Sequence, residues 1–446
     1  MNKDNITFTL MDLGYKKAGP VQIYDERTTY DNGEIIPFTT QLAIVTHAQM
    51  LRDTKHGVIY QKKAQELIDA WTNTELPNKL KASCASEPTG FQYSIFNEMR
   101  DVPFPGPENP KFTFIDLFAG IGGFRMAFQN LGGQCVFSSE WDAHAQKTYF
   151  ANYGEVPFGD ITSDHTKQFI PDNFDILCAG FPCQAFSLAG KRLGFEETRG
   201  TLFFDVAEIL RRKQPKAFFL ENVKGLAIHD KGKTLRTILN TLDEVGYVVP
   251  KPQVVNAMYF GVPQHRERIY IVGFRKDLGI NPEDFTYPEQ NKVTKHFIDI
   301  REKDPVPAKY YLSTTYVNTL IRHKARHESK GNGFGYAIVG DNEVANAIVV
   351  GGMGRERNIV IDTRQTDLTP TTHIKGEYNK DGWRRMTPRE WGALQGYPVY
   401  DTGDGSPVFR IPVADASAYK QFGNSVAVPA IQATAEQLLS CLKKHK

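Results

Sequence analysis

The stretch Phe112–Phe128, FTFIDLFAGIGGFRMAF, decides the fold. An apolar strand runs into a turn carrying Gly120, Gly122 and Gly123, and the turn opens an amphipathic helix. A strand that enters a helix through glycines lets backbone amides approach a ligand closely and aims the helix N-terminus at it. Asp116 stands at the strand end, where an acid would face the pyrophosphate of a dinucleotide. The turn therefore suits a cationic or zwitterionic ligand such as S-adenosylmethionine.

Working outward, four more apolar stretches end in an acid or in a loop that carries a thiol. CVFSSEWDAHA stops at Glu140, twenty residues beyond Gly120, where a carboxylate can accept from both ribose hydroxyls. VPFGDIT sets Asp160 behind a glycine, a place that suits an adenine amino group and equally a turn. DILCAGFPCQAFSLAG (Asp175–Gly190) ends its apolar run at Gly180 and puts Pro182 and Cys183 in a loop, and AFFLENVKGL stops at Glu221. In an open parallel sheet such ends form the crevice in which ligands bind. Further on, RIYIVGF is entered through Gln264–Arg268. By strand alternation Gln264, Arg266 and Arg268 share one face, and the two arginines, aimed at the crevice, suit phosphate and base-carbonyl contact.

Composition bounds the rest. At 446 residues the chain needs more than one structural unit, and a net charge of +2 confines any nucleic-acid surface to a patch. The cysteines (Cys84, Cys135, Cys178, Cys183, Cys441) lack CxxC or Cys/His metal spacing, so a reducing compartment and no metal are expected. With no signal-like start and no long apolar run, a cytoplasmic protein without membrane contact follows. The expectation is α/β, a Rossmann-like domain with a smaller strand-and-loop lobe. Residues 1–109 form an N-terminal extension, with β-like pieces ITFTL and VQIYD and a helix near Tyr60–Trp71. The Pro-rich VPFPGPENP (Val102–Pro110) is its linker. Residues 111–276 begin the main domain. Residues 277–400, rich in Gly, Thr, Asn and basic side chains and poor in helices, form the second lobe, and 411–446 return to the first.

FIDLFAGIGGFR, SSEWD, GDI, GFPCQAFS, ENVKGL, QHRERIYIVG, RMTPRE and YKQFGNSVAVP, in this order, resemble the motif set of the DNA (cytosine-5) methyltransferases of bacterial restriction-modification systems and the Dcm-type enzymes. The resemblance covers about Lys111 to the C-terminus and implies transfer of a methyl group from S-adenosylmethionine to carbon 5 of a flipped cytosine in duplex DNA. It implies Cys183 as nucleophile on carbon 6, Glu221 as the group acting at ring nitrogen 3, Arg268 on the cytosine carbonyl, and Arg266 holding the catalytic loop and backbone. Cofactor contacts carried over are Phe118, Gly120, Gly122, Glu140, Trp141, Asp160, Ile161, Asn424, Ser425 and Val426, with Asp116 organising the turn. Ser187 and Lys191, in a loop Phe186–Gly200 that closes on the base, meet phosphate. Arg355 and Arg357 belong to the recognition lobe, and Thr387–Glu390 shape it. GNGFGY and FRIPV resemble the group acting on CCWGG and CCNGG sites, which implies a CCNGG-like target. A monomer is implied, with a cognate endonuclease acting on the same site without direct contact. The alternatives are a tRNA methyltransferase of the same superfamily, a catalytically silent DNA-binding homologue and, on the glycine turn alone, a nicotinamide-dependent dehydrogenase.

Overall fold

Alternation of large apolar side chains builds a seven-stranded sheet with a core on each face. The computed structural model describes residues 37–73, 101–182, 202–333, 335–351, 354–366 and 376–445. ITFTL, VQIYD, Cys183, Ser187, Lys191 and the loop around them lie outside the described residues. The strands are β1 (Phe112–Leu117), β2 (Gly133–Ser139), β3 (Ile176–Gly180), β4 (Ala217–Val223), β5 (Tyr247–Val248), β6 (Gln253–Asn256) and β7 (Glu267–Arg275), in the order β2-β1-β3-β4-β7-β5, with β6 also on β7. β2, β1, β3 and β4 run parallel; β7 is antiparallel to β4. That one reversed strand brings its own first residues to the edge where the parallel strands end.

Phe114, Ile176, Cys178, Ala217 and Phe219 point to one face. There they pack under α3 (Gly123–Asn130) and the C-terminal helix α10 (Val428–Lys444), which touch each other. Ile115, Leu117, Leu177, Phe218 and Leu220 point to the other, under α5 (Leu202–Lys213) and α6 (Lys233–Glu244). The second core also takes in α1 (Phe38–Met50) and α2 (Val58–Asn73), from the region expected to be an extension of unknown role. Tyr60 Oη lies 3.0 Å from the Val136 carbonyl and 2.9 Å from that of Phe169, and Thr46 Oγ1 accepts from the Val156 amide at 3.1 Å. The Pro-rich segment is likewise fastened: Phe104 N donates to the Asn152 carbonyl at 3.0 Å, and Arg410 holds the Asp101 carbonyl at 2.7 Å.

In the lobe over 277–400, strands are only two or three residues long, and a buried charge network supplies much of the order. Arg384, fully buried, donates to Asp362 at 3.0 Å and to both oxygens of Glu390 at 2.7 and 2.8 Å. Thr387 and Glu390 form a capping box that starts α8 (Pro388–Leu394), after α7 (Thr314–Glu328) earlier in the lobe. The scarcity of helices expected here overlooks α7, whose apolar positions, Tyr316, Val317, Leu320 and Ile321, stop halfway along its 15 residues.

A second buried cluster joins the N-terminal helices to the glycine turn. Glu155 binds Arg125 at 2.9 Å, Ser138 at 2.7 Å and His47 at 3.2 Å, all without solvent exposure. Burial alone would raise the Glu155 carboxyl, but Arg125 and then His47 outweigh it and hold it well below the usual carboxylate range. Glu155→Gln would leave Arg125 buried without its counter-charge, a loss of about 3–5 kcal/mol, read as a lower urea midpoint. Because the folded-state value is depressed, this contribution is complete above the ordinary glutamate range and fades as pH falls below it. The variant should therefore show a shallower acid loss of stability than the wild type.

Candidate active site

The register of β3 on β4 sets Gly180 beside Glu221, and the register of β4 on β7 sets Val223 beside Arg268. At that corner Arg268 Nε lies 3.0 Å from Glu221 Oε1, with both side chains largely covered. Asn222 turns its side chain back and donates to the Phe181 carbonyl at 2.8 Å, fixing the path on which the chain leaves β3 through buried Phe181 and exposed Pro182 toward Cys183. Sequence reasoning gave Asn222 no role; its place between Glu221 and Val223 in ENV was the available signal. Beyond the corner lies a cavity of about 300 Å³ lined by Lys224, His265, Glu267, Arg268, Asn346 and Arg357, among others. Four of those six side chains are basic types, and the acid Glu267 is held by Lys224 at 2.9 Å. The mouth suits an anionic strand.

A second set of groups gathers at the ends of β1 and β2. Glu140 Oε2 accepts from the Gly120 amide at 2.8 Å and Oε1 from the Asp142 amide at 2.7 Å, so one carboxylate ties the glycine turn to the start of α4 (Ala143–Tyr153). Burial holds the Glu140 carboxyl above its usual range, against the amides that pull it down. Next to it the Trp141 ring is 80% exposed, an unusual state for an indole and one that leaves a flat face for a base. Gly120 has φ +55° and open space where a Cβ would stand, whereas a Cβ on Gly122 would meet the Tyr153 ring at 2.4 Å. The first glycine leaves room for a ligand and the second lets a helix close onto the sheet. Phe118 also takes a positive φ, 56°, rare for a side chain of that size and a mark of a constrained turn.

Asp116 is buried at the same turn. Its Oδ2 accepts from Arg125 N at 3.2 Å, the work of an N-cap that Gly122 cannot do, and its Oδ1 has no hydrogen-bond partner among the described residues. Burial raises its carboxyl to about 8. A carboxylate bridging two amides, an exposed indole, an open glycine and a buried acid with a spare oxygen are donors and acceptors that fit a nucleoside carrying a positive charge. Ser425 and Val426 border this turn, since a Cβ on Gly123 would meet Val426 Cγ2 at 2.6 Å and Ser425 Oγ at 3.1 Å; Asn424 beside them is exposed.

The geometry corrects one expectation, takes the turn alternative open for Asp160 and separates two arginines of the second lobe. Alternation along Gln264, Arg266 and Arg268 holds, but Arg266 does not face a crevice. It is buried, and its guanidinium is spent on the carbonyls of Ile348 at 3.0 Å, Gly423 at 3.3 Å and Ser425 at 2.7 Å. Burial, and then repulsion from Arg268, press it below the usual arginine range. Arg266 thus stitches the lobe over 277–400, through Ile348, to the turn carrying Asn424–Val426. Asp160 ends no strand: it is exposed and accepts from Thr162 N at 2.9 Å, a turn, while Ile161 is buried. Arg355 and Arg357 part company, Arg357 lining the cavity and Arg355 lying 4.9 Å over the Tyr419 ring.

Comparison with known proteins accords with this arrangement. A model of the family described as C-5 cytosine-specific DNA methylase matches residues 112–440. The chain is 67% identical over 353 residues to the Type II methyltransferase M.HpaII of Haemophilus parainfluenzae, covering 79% of this chain and 94% of that protein. It is 40% identical over 393 residues to the DNA-cytosine methyltransferase of Escherichia coli strain K12, covering 77% and 81%. Among solved structures, the S. pombe Dnmt2 methyltransferase superposes with a TM-score of 0.53 at 17% identity, covering 75% of this chain and all of that one, a likeness of fold. The family match takes in the sheet, the Glu221–Arg268 corner, the lobe over 277–400 and the returning helix, and the chain belongs to the C-5 cytosine-specific DNA methylase family.

Proposed function

We propose that this protein is the modification enzyme of a restriction-modification pair, methylating carbon 5 of one cytosine within a short duplex site. The observation that carries the proposal is the Glu221–Arg268 pair, 3.0 Å apart at a strand end from which the neighbouring strand leads directly into Pro182-Cys183. Carbon 5 of cytosine is a poor nucleophile, so the ring must first accept a pair of electrons at carbon 6; a thiolate is the residue type for that step, and Cys183 is assigned it. Charge then builds at ring nitrogen 3 and the exocyclic oxygen, and once carbon 5 carries the methyl group its proton and then the Cys183 thiolate leave, restoring the ring. Glu221 offers the proton or hydrogen bond at nitrogen 3, and Arg268 the cation at the oxygen. S-adenosylmethionine, when bound, supplies an electrophilic methyl group. Glu140, Trp141, Phe118, Gly120 and the Ser425–Val426 turn are the residues that would hold it, and Asp116 backs the turn. The base must leave the helix to reach these groups, and Ser187, Lys191 and Arg357 are assigned to the phosphates around it. The M.HpaII and E. coli relatives, by name a Type II and a DNA-cytosine methyltransferase, support duplex DNA as substrate.

Purified protein should transfer labelled methyl groups to duplex DNA and not to tRNA; the reverse preference would select the RNA-directed alternative. Bisulfite sequencing of the product then reads the target and tests whether it is CCNGG-like. Arg268→Ala should lower kcat by roughly 100-fold, in line with loss of one preorganised donor, while changing the Kd for duplex DNA less than fivefold. A fall in affinity alone would make Arg268 a phosphate contact.

A further inference from the structure

Helix α7 runs past its core. Val317 and Leu320 pack with Leu312 and Ile359, but nothing apolar beyond Leu320 is buried: Ile321 is 44% exposed, and Arg322, Ala325, Arg326 and Lys330 are all exposed. Isolated helix turns without a packed face are marginal in water, so two turns of helix projecting into solvent call for a reason. The segment Arg322–Lys330, RHKARHESK, carries four full positive charges and one carboxylate, Glu328, whose contact with Lys324 is at 4.0 Å. Among the described residues no carboxylate pairs with Arg322, Arg326 or Lys330. The basic end of α5 shows the contrast, since there Arg212 meets Glu208 at 3.4 Å and Lys213 meets Asp172 at 2.7 Å. The helix dipole accounts for one or two cations in a last turn, whereas Arg322 and Lys324 lie upstream of it.

The helix is also aimed. Near its start Tyr316 donates to Glu356 at 3.0 Å, and Glu356 is neutralised by Arg385 at 2.8 Å and adjoins Arg357 in the cavity lining. Lys324 Nζ lies 4.8 Å over the Tyr336 ring, which packs against Trp383. The cationic end is therefore fixed to the same lobe as the cavity mouth. From Tyr316 to Arg326, ten residues of helix span about 15 Å, the length of roughly four base pairs.

On this basis, and resting on the duplex-methylating function above, we propose that the projecting end of α7 is a second, sequence-independent DNA contact, gripping phosphates that flank the recognised bases. Such a contact adds affinity through counterion release and reads no base. The test is the salt dependence of binding to a 30-base-pair duplex by full-length protein, wild type against Arg322→Gln/Arg326→Gln/Lys330→Gln, three exposed side chains. The slope of log K against log salt should flatten by about 2–3, at about 0.9 for each phosphate no longer neutralised, and affinity at low salt should drop at least about tenfold. The charge-keeping Arg322→Lys/Arg326→Lys variant should retain the wild-type slope. Thermal unfolding of the triple variant should match wild type, since these side chains cover no core; a melting point that falls with the slope would assign the residues a structural role and overturn the proposal. A wild-type slope in the triple variant would also overturn it. Should wild-type protein fail to methylate duplex DNA at all, the function proposed above fails instead, so the two failures are distinguishable.

Discussion

Neighbouring strands in fixed register are the constraint on which the site depends. Because β3 and β4 run parallel with Gly180 beside Glu221, an acid and the departing loop emerge at one point; because β7 is reversed, the arginine at its start lands on the same point. Slipping β4 by one residue would turn Glu221 to the opposite face of the sheet and put Asn222 in its place. The apolar faces forbid that slip, since Phe218 and Leu220 would exchange cores with Ala217 and Phe219. Packing on both faces of the sheet thus specifies the chemistry at its edge.

The rest of the molecule holds that edge steady. Arg266 ties three carbonyls from two distant segments, and Asn222 ties the loop exit. The N-terminal helices reach the glycine turn from behind through His47, Glu155 and Arg125. That chain of buried charges lies behind the glycine turn, so the extension and the methylase fold share one core across their described residues. Buried ionic groups of this kind contribute little net stability but cost much when one partner is removed. They function here as fasteners with only one correct arrangement.

Much of this was legible in the sequence. Strand ends were marked by acids after apolar runs, so Asp116, Glu140 and Glu221 could be placed at one rim without coordinates, and the two-residue alternation correctly put Arg266 and Arg268 on one face. What alternation cannot reveal is what covers that face. Arg266 is capped by Gly423–Ser425, a segment more than 150 residues away in the chain, as its hydrogen bonds show. Asp160 looked like a strand end because an apolar pair precedes it, but the pairing there is a single bridge at Phe158, and the carboxylate closes its own turn. Helix α7 escaped notice because its apolar positions stop at Ile321, halfway along it, and the docking of the N-terminal helices because apolar residues such as Leu42, Ile44 and Leu67 mark a packed face without saying which core it joins.

The central claim is that the Cys183 sulfur bonds to an everted cytosine beside Glu221. Duplex DNA in which the methylatable cytosine is replaced by 5-fluorocytosine tests it most directly, because fluorine cannot leave carbon 5 as the proton does. Incubated with folded protein and S-adenosylmethionine, it should yield a protein–DNA species that survives denaturing electrophoresis and disappears in Cys183→Ala. Absence of that species with wild-type protein that methylates ordinary duplex, or its persistence in Cys183→Ala, would contradict the account.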